Sequence, residues 1–311
     1  MKILFMGTPD YAAAALAALL ESGAPVGLVV TQPDRPKGRK GELVPPPVKV
    51  CAEAHQVPVL QPEHVRDPET MEQLKNFAPD LCIVAAFGQI LPAELLKLPP
   101  LGCVNLHASL LPKLRGASPI QQALIDGEKE TGITLMQMAE GVDTGDILLQ
   151  HTIPIAAEDT GGSLFEKLSS LAARTIVEAL PALEAGTLTP VPQKEELATY
   201  CRKLTKQMGR VDWRMGAENI ERLIRALDPW PSCYTTLGGR TLKLWRADVL
   251  PDARSAEGAP GTITEITGDS IRVLTGDGIL EIRELQLEGK KRMLVHDFLL
   301  GYRLQAGEIL G

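Results

Sequence analysis

Six short strand-like apolar runs occupy the first half of the chain: Lys2 to Met6, Val26 to Thr31, Val57 to Leu60, Leu81 to Ala86, Val104 to His107 and Ile133 to Met138. Segments of helical character separate most of them, including Tyr11 to Leu20, Lys49 to His55, Met71 to Asn76 and Ile120 to Ile125, and Leu164 to Leu183 follows the last. Two parallel strands need a crossover between them, and a helix is the usual one, so this alternation predicts a mostly parallel sheet covered on both faces. Thr8 is expected to cap the first helix, with Pro9 at its first turn. Ligands in such sheets bind beyond the C-terminal ends of the strands. Phe87-Gly88, His107 and the segment Glu140 to Asp146 each follow an apolar run, which predicts three loops at one rim.

The rhythm then changes. Thr187 to Gln193 reads as an extended, Pro-biased linker. Beyond a helix at Ala217 to Leu227, five short strands (Tyr234 to Thr236, Leu242 to Ala247, Gly261 to Ile266, Ile271 to Leu274, Ile279 to Leu285) are separated by Gly and Asp turns. Many short strands with such turns predict a small barrel. The expected organisation is a domain at 1–187, a linker at 188–206 and a second domain at 207–311.

Several classes are excluded early. No run of about 18 apolar residues is present, and Met1 to Gly7 is too short and too soon broken for a signal peptide, so a cytoplasmic protein without a membrane partner is expected. The five cysteines form no C-x-x-C pair, which disfavours structural zinc and a disulfide framework, and they read as buried small hydrophobes. His55, His64, His151 and His296 each lack a metal-ligand neighbour in sequence, so no metal is expected. A net charge of −7 argues against generic coating of nucleic acid, although local basic clusters can still bind phosphates. Gly7-Thr-Pro-Asp10 sits where a dinucleotide fold carries its glycine-rich turn but lacks G-x-G-x-x-G, which disfavours NAD.

The chemistry concentrates at Asn105 and His107. Side chains two apart in a strand share a face, so the carboxamide and imidazole act together, with Val104 and Leu106 on the other side. An Asn can donate to a developing oxyanion, and a His can take or give a proton near neutral pH. Asp143 is a carboxylate that can hold the His107 tautomer and its cationic form. Asp143-Thr-Gly145 also matches the aspartic-protease tripeptide, but that chemistry needs two such carboxylates in a β-rich framework. Ser118-Pro-Ile-Gln121 reads as a capping box. Lys113 and Arg115 either meet an anionic ligand or are solvated. The segment Phe87 to Pro92 either lines a flat ligand or packs in the core. The loop Thr31 to Glu42 holds Arg35, Lys37, Arg39 and Lys40, fit for a polyanion or simply solvated. Between Arg202 and Arg214 stand five basic residues (Arg202, Lys203, Lys206, Arg210, Arg214) against one acid, Asp212.

Asn105-x-His107, Ser109-Leu-Leu-Pro112 with Arg115-Gly116, and Asp143-Thr-Gly145 together resemble the signature of the folate-dependent formyltransferases. Phe5-Met-Gly-Thr-Pro-Asp10, Thr31-Gln-Pro-Asp-Arg-Pro36, Phe87-Gly-Gln-Ile-Leu-Pro92, Asp228-Pro-Trp-Pro231 and Thr275-Gly-Asp-Gly278 extend the resemblance over both expected domains, closest to the branch that acts on tRNA. The resemblance implies a Rossmann-like α/β catalytic domain, a smaller OB-like β-barrel, and substrate identities that composition alone does not give: 10-formyltetrahydrofolate as formyl donor and methionyl initiator tRNA as acceptor, served by a monomer. It implies that Asn105 and His107 stabilise the oxygen of the tetrahedral intermediate and that Asp143 orients His107. Ser109, Leu110, Leu111 and Pro112 would contact folate, with Phe87, Gly88, Gln89, Ile90 and Leu91 bordering the pterin. Arg39, with Arg35, Lys37 and Lys40, would meet the acceptor stem, and Lys203 and Lys206 would help hold the tRNA. Leu114 stands where the family often has an aromatic residue. The rival expectations are another formyl-folate enzyme, a hydrolase or a transferase to a sugar or purine-precursor amine, and a non-catalytic RNA-binding protein.

Overall fold

The computed structural model describes residues 1–37, 41–250 and 258–311, and the side chain of Lys37 lies outside the description. In chain order the elements are β1 (Ile3–Gly7), α1 (Asp10–Glu21), β2 (Val26–Val30), β3 (Arg35–Lys37), β4 (Glu42–Val44), α2 (Pro47–Ala54), β5 (Val59–Leu60), α3 (Pro68–Phe77), β6 (Leu81–Ala85), α4 (Ala93–Leu96), β7 (Cys103–His107), β8 (Arg115–Gly116), α5 (Pro119–Ile125), β9 (Glu130–Gln137), β10 (Ile147–Pro154), α6 (Gly161–Ala185) and β11 (Tyr200–Cys201). There follow α7 (Ala217–Ala226), β12 (Cys233–Leu237), β13 (Arg240–Leu250), β14 (Ile263–Ile266), β15 (Ile271–Leu274), β16 (Ile279–Leu287), β17 (Met293–Leu294) and α8 (Val295–Gly301).

Two compact units emerge. The first comprises Met1–Pro119, Glu130–Pro154 and Phe165–Cys201; the second comprises Ile120–Lys129, Ile155–Leu164 and Arg202–Gly311. Residues 188–201, read from sequence as part of a linker, thus belong to the first unit, where β11 pairs with β8. The short polar segments 120–129 and 155–164 carry no sequence signal that would assign them to the second.

The first unit is built on a seven-stranded sheet in the order β10-β9-β7-β6-β1-β2-β5. The five strands from β7 to β5 are parallel, and β9 and β10 are antiparallel to their neighbours. Every residue of β1 and β6 is buried, the pattern of strands covered on both faces. Inside the first unit, the Tyr11 hydroxyl of α1 donates to the Leu106 carbonyl (3.1 Å), and burial pushes this phenol far above its ordinary pKa. Thr8 is not a cap: Pro9 occupies that position, and the Thr8 hydroxyl instead donates to the Phe87 carbonyl (3.0 Å).

One strand direction corrects the expected rim. Val104 pairs with Gln137, and the Met138 amide donates to the Cys103 carbonyl (2.8 Å). The C-terminal end of β9 therefore lies beside the start of β7, so the segment 138–146 departs from the opposite rim and has to fold back to reach His107. An apolar run reads the same in either direction, which is why the sequence pattern missed this. β10 escaped notice because it is mostly half-buried and interrupted by Gln150, His151 and Pro154.

The second unit carries a six-stranded antiparallel sheet in the order β12-β13-β16-β15-β14, with β17 paired to β16. Its core includes Trp213, Ile220, Ile224, Leu244, Ile271 and Ile282.

Candidate active site

β7 sets the site by alternation. Asn105, opposite Val84 and Met136, and His107, opposite Thr134, fall on one face of the strand. Asn105 is half-buried, and among the described residues its carboxamide makes no hydrogen bond. That leaves its NH2 free to donate to an incoming oxygen.

His107 is held at both nitrogens. Its Nε2 lies 3.0 Å from the Leu114 carbonyl, and because a carbonyl only accepts, the hydrogen-bond network assigns a proton to Nε2. Its Nδ1 lies 3.6 Å from Oδ2 of Asp143. A proton taken up at Nδ1 is therefore placed beside a carboxylate, in a position only 6% exposed to solvent. The same Oδ2 accepts from the Gly116 amide at 2.8 Å. Gly116 has φ +115°, and a Cβ there would stand 2.2 Å from the Cys201 carbonyl oxygen, so the residue is confined to glycine by both conformation and space. Leu114, in place of an aromatic residue, is buried with φ +59°, and that backbone turn aims its carbonyl at the imidazole.

Arg115 is neither solvated nor free to meet a ligand. The side chain is fully buried. Nη1 and Nη2 form a bidentate pair with Glu195 (2.9 Å each), and Nε and Nη2 donate to Oε1 of Gln193 (3.1 and 3.0 Å). The Arg115 guanidinium holds the Glu195 carboxyl below the ordinary carboxylate range. Gln193 turns its amide nitrogen to the carbonyls of Asp143 (2.8 Å) and Gly145 (2.7 Å). Nothing local in the sequence pointed to Gln193 or Glu195, which read as residues of a linker.

The segment after β7 is fixed from below by Thr134 of β9. Its hydroxyl donates to the Ser109 carbonyl (2.7 Å) and accepts from the Leu111 amide (3.1 Å) and from Gln150 (2.9 Å). Ser109 and Leu111 are buried, and the Ser109 hydroxyl is spent on the Lys113 carbonyl (2.7 Å). Of the four residues expected to contact folate, Leu110 and Pro112 keep side-chain surface. The expected pterin border divides similarly. Phe87 and Leu91 belong to the core, and the Gln89 amide is tied to Val65 (2.8 Å) and Glu63 (3.2 Å), whereas Gly88 is exposed and Ile90 is 87% exposed.

The basic residues fall in two places. Arg35 lies on the hairpin of β3 and β4, not in a structureless loop, and pairs with Glu63 at 3.0 Å. Lys37 is on β3, while Arg39 and Lys40 lie outside the described residues. In the second unit Arg202, Lys203, Lys206 and Arg210 are exposed, and none forms an ion pair with a described residue. Arg214 is engaged by Asp212 (2.7 Å), whose carboxyl is drawn down to about 2 by that guanidinium. Among the described residues no group of three or more His, Cys, Asp or Glu is placed to hold a metal, and no helix is long and apolar enough to cross a membrane.

Against known proteins, a sequence family described as formyl transferase matches residues 1–180, and one described as formyl transferase, C-terminal domain, matches residues 203–303. A methionyl-tRNA formyltransferase of Halalkalibacterium halodurans is 51% identical over 314 aligned positions, covering 100% of this chain and 98% of that protein. Among solved structures, WlaRD, a sugar 3N-formyl transferase crystallised with dTDP and 5-N-formyl-THF, superposes with a TM-score of 0.68 at 16% identity over 94% of this chain and 99% of that one. HypX from Aquifex aeolicus, in complex with tetrahydrofolic acid, gives 0.61 at 21% identity over 97% of this chain, which spans about half of HypX (47%). At such identities the two structural likenesses carry the fold alone.

Proposed function

The chain belongs to the formyl transferase family, and on that premise we infer that it transfers the formyl group of 10-formyltetrahydrofolate to the amino group of methionyl initiator tRNA. The observation that carries the choice of acceptor is the 51% identity to a methionyl-tRNA formyltransferase across the whole chain, both units included. The fold alone would suit a sugar amine equally well.

10-Formyltetrahydrofolate supplies a formyl carbon already activated as an amide. The open carboxamide of Asn105 fits a donor whose oxygen must gain charge, and Leu110, Pro112, Gly88 and Ile90 offer the surface that would hold the folate. Asn105 donates to the formyl oxygen as charge develops there. His107, with Nε2 held by Leu114, takes the proton of the attacking amine at Nδ1, and Asp143 offsets the resulting positive charge; the intermediate then collapses by breaking the bond between the formyl carbon and N10, which takes up that proton as tetrahydrofolate leaves. Burial strengthens that compensation by excluding water.

The remaining assignments follow from charge and position. The first unit, which takes in residues 188–201, carries the transfer, and the second, from Arg202 onward, holds the tRNA. Lys203 and Lys206, exposed and unpaired among the described residues, meet phosphates, and Arg35 and Lys37 of β3, together with Arg39 and Lys40, meet the acceptor stem. The trio needs no residue from a second copy, and the enzyme is read as a monomer. The acceptor belongs to translation initiation, which supports a cytoplasmic location.

The test is incubation with 10-formyltetrahydrofolate and charged initiator tRNA, against elongator tRNA and no tRNA. Formylmethionyl-tRNA from the initiator is the expected product. Formate release without it, or equal formylation of elongator tRNA, would contradict the assignment.

A further inference from the structure

We propose that Gln193 is a positioning residue for Asp143, through which the buried Arg115, held by the exposed carboxylate of Glu195, sets the geometry of the His107 site. The inference rests on the reading of Asn105, His107 and Asp143 given above.

Asp143 has φ +53°, in the left-handed backbone region that is uncommon for non-glycine residues, although aspartate enters it more readily than most. Two restraints impose it here. One is the Gly116 amide on Oδ2. The other is Gln193, whose single NH2 group bridges the carbonyls of Asp143 and Gly145 and so clamps both sides of the turn. The bridge has a defined orientation because Oε1 is held by two nitrogens of Arg115. Arg115 accepts nothing, so the amide cannot flip without setting its NH2 against a guanidinium. Arg115 is in turn fixed by the bidentate carboxylate of Glu195. The chain of contacts runs from Glu195 through Arg115 and Gln193 to the Asp143 turn and ends 3.6 Å from His107. Gly145 leaves no room to relax, since a Cβ there would stand 1.7 Å from the Gln137 carbonyl oxygen.

Gln193 does not face the reacting groups, and its effect must pass through Asp143. Two variants separate that effect from general damage. Gln193→Met removes both donors and the acceptor, and Gln193→Glu keeps an acceptor for Arg115 while losing the donors to the two carbonyls. Each is expected to lower kcat by about tenfold to a hundredfold, the scale of a misplaced catalytic group, with KM for both substrates within about twofold of the parent. In an Asp143→Asn background the same substitutions are expected to change kcat by less than about twofold, because the group they position is already disabled. Should Gln193→Met fail to fold, Gln193→Glu carries the comparison. Parental kcat in either folded variant, or an undiminished loss in the Asp143→Asn background, would overturn the proposal. If Asp143→Asn itself turned over like the parent, the assignment of the trio would fail instead.

Discussion

Replacing Thr134 by Val changes little in volume but removes the hydroxyl that holds the segment after β7. Thr134 is fully buried, and its Oγ1 accepts the Leu111 amide and donates to the Ser109 carbonyl, both on residues no more than 3% exposed. The valine leaves these two backbone groups unpaired, at about 1–3 kcal/mol each. The Leu111 carbonyl keeps its bond from Gln150 (2.9 Å), and the added methyl returns roughly 0.8 kcal/mol. The net expectation is a destabilisation of about 3 kcal/mol. Thr134→Ser is the control: it keeps the hydroxyl and loses one methyl, for about 1 kcal/mol. Urea unfolding followed by circular dichroism compares the two, and hydrogen exchange at the Leu111 amide gives the local reading. Because this segment also carries Leu114, whose carbonyl holds His107, formyl transfer should fall in the valine variant as well. If Thr134→Val proved as stable as Thr134→Ser, with Leu111 equally protected, the reasoning would be wrong.

Other outcomes follow from the same structure. Treating native protein with iodoacetamide at about pH 8 should modify Cys51, which is half-buried, before the other four cysteines, which are buried, whereas unfolded protein should gain five adducts by mass spectrometry. Burial pushes the Cys233 thiol up to about 12, so its contribution to stability is complete below the unfolded value of about 8.5 and is lost as pH rises toward 12. A Cys233→Ala variant should therefore show a shallower alkaline loss of stability across that window, and an identical pH dependence would refute the linkage. Changing Lys203 and Lys206 together to Glu should weaken tRNA binding and flatten its log–log salt dependence by about two, with folate binding unchanged. An unaltered salt slope would remove both lysines from the tRNA surface.

What the sequence revealed and what it hid divide along a physical line. Asn105 and His107 were legible because two-residue periodicity in a strand is a local property. The parallel part of the sheet was legible because apolar runs alternate with helical segments. The direction of β9 was not, since that depends on which neighbour the strand pairs with. Arg115 was misread for a similar reason: a charged residue beside a Leu-Pro turn reads as surface, and its burial depends on Gln193 and Glu195, which lie 78 and 80 positions away. Ser109 and Leu111 were read as part of a motif, and their burial and their bonds to Lys113 and Thr134 are contacts that motif membership does not reveal. Residues 188–201 read as an extended linker because Val191, Gln193 and Glu195 find partners in Ile147, Asp143 and Arg115, all distant in sequence.

On the proposed reading, an open carboxamide and a carboxylate-backed imidazole on one face of β7 carry the formyl transfer. Its most direct test is single-turnover transfer to charged initiator tRNA by Asn105→Ala and His107→Ala, with folate and tRNA binding measured on the same preparations. Each variant is expected to bind both substrates as the parent does while its rate falls by about a hundredfold or more. Parental single-turnover rates in either variant would contradict it.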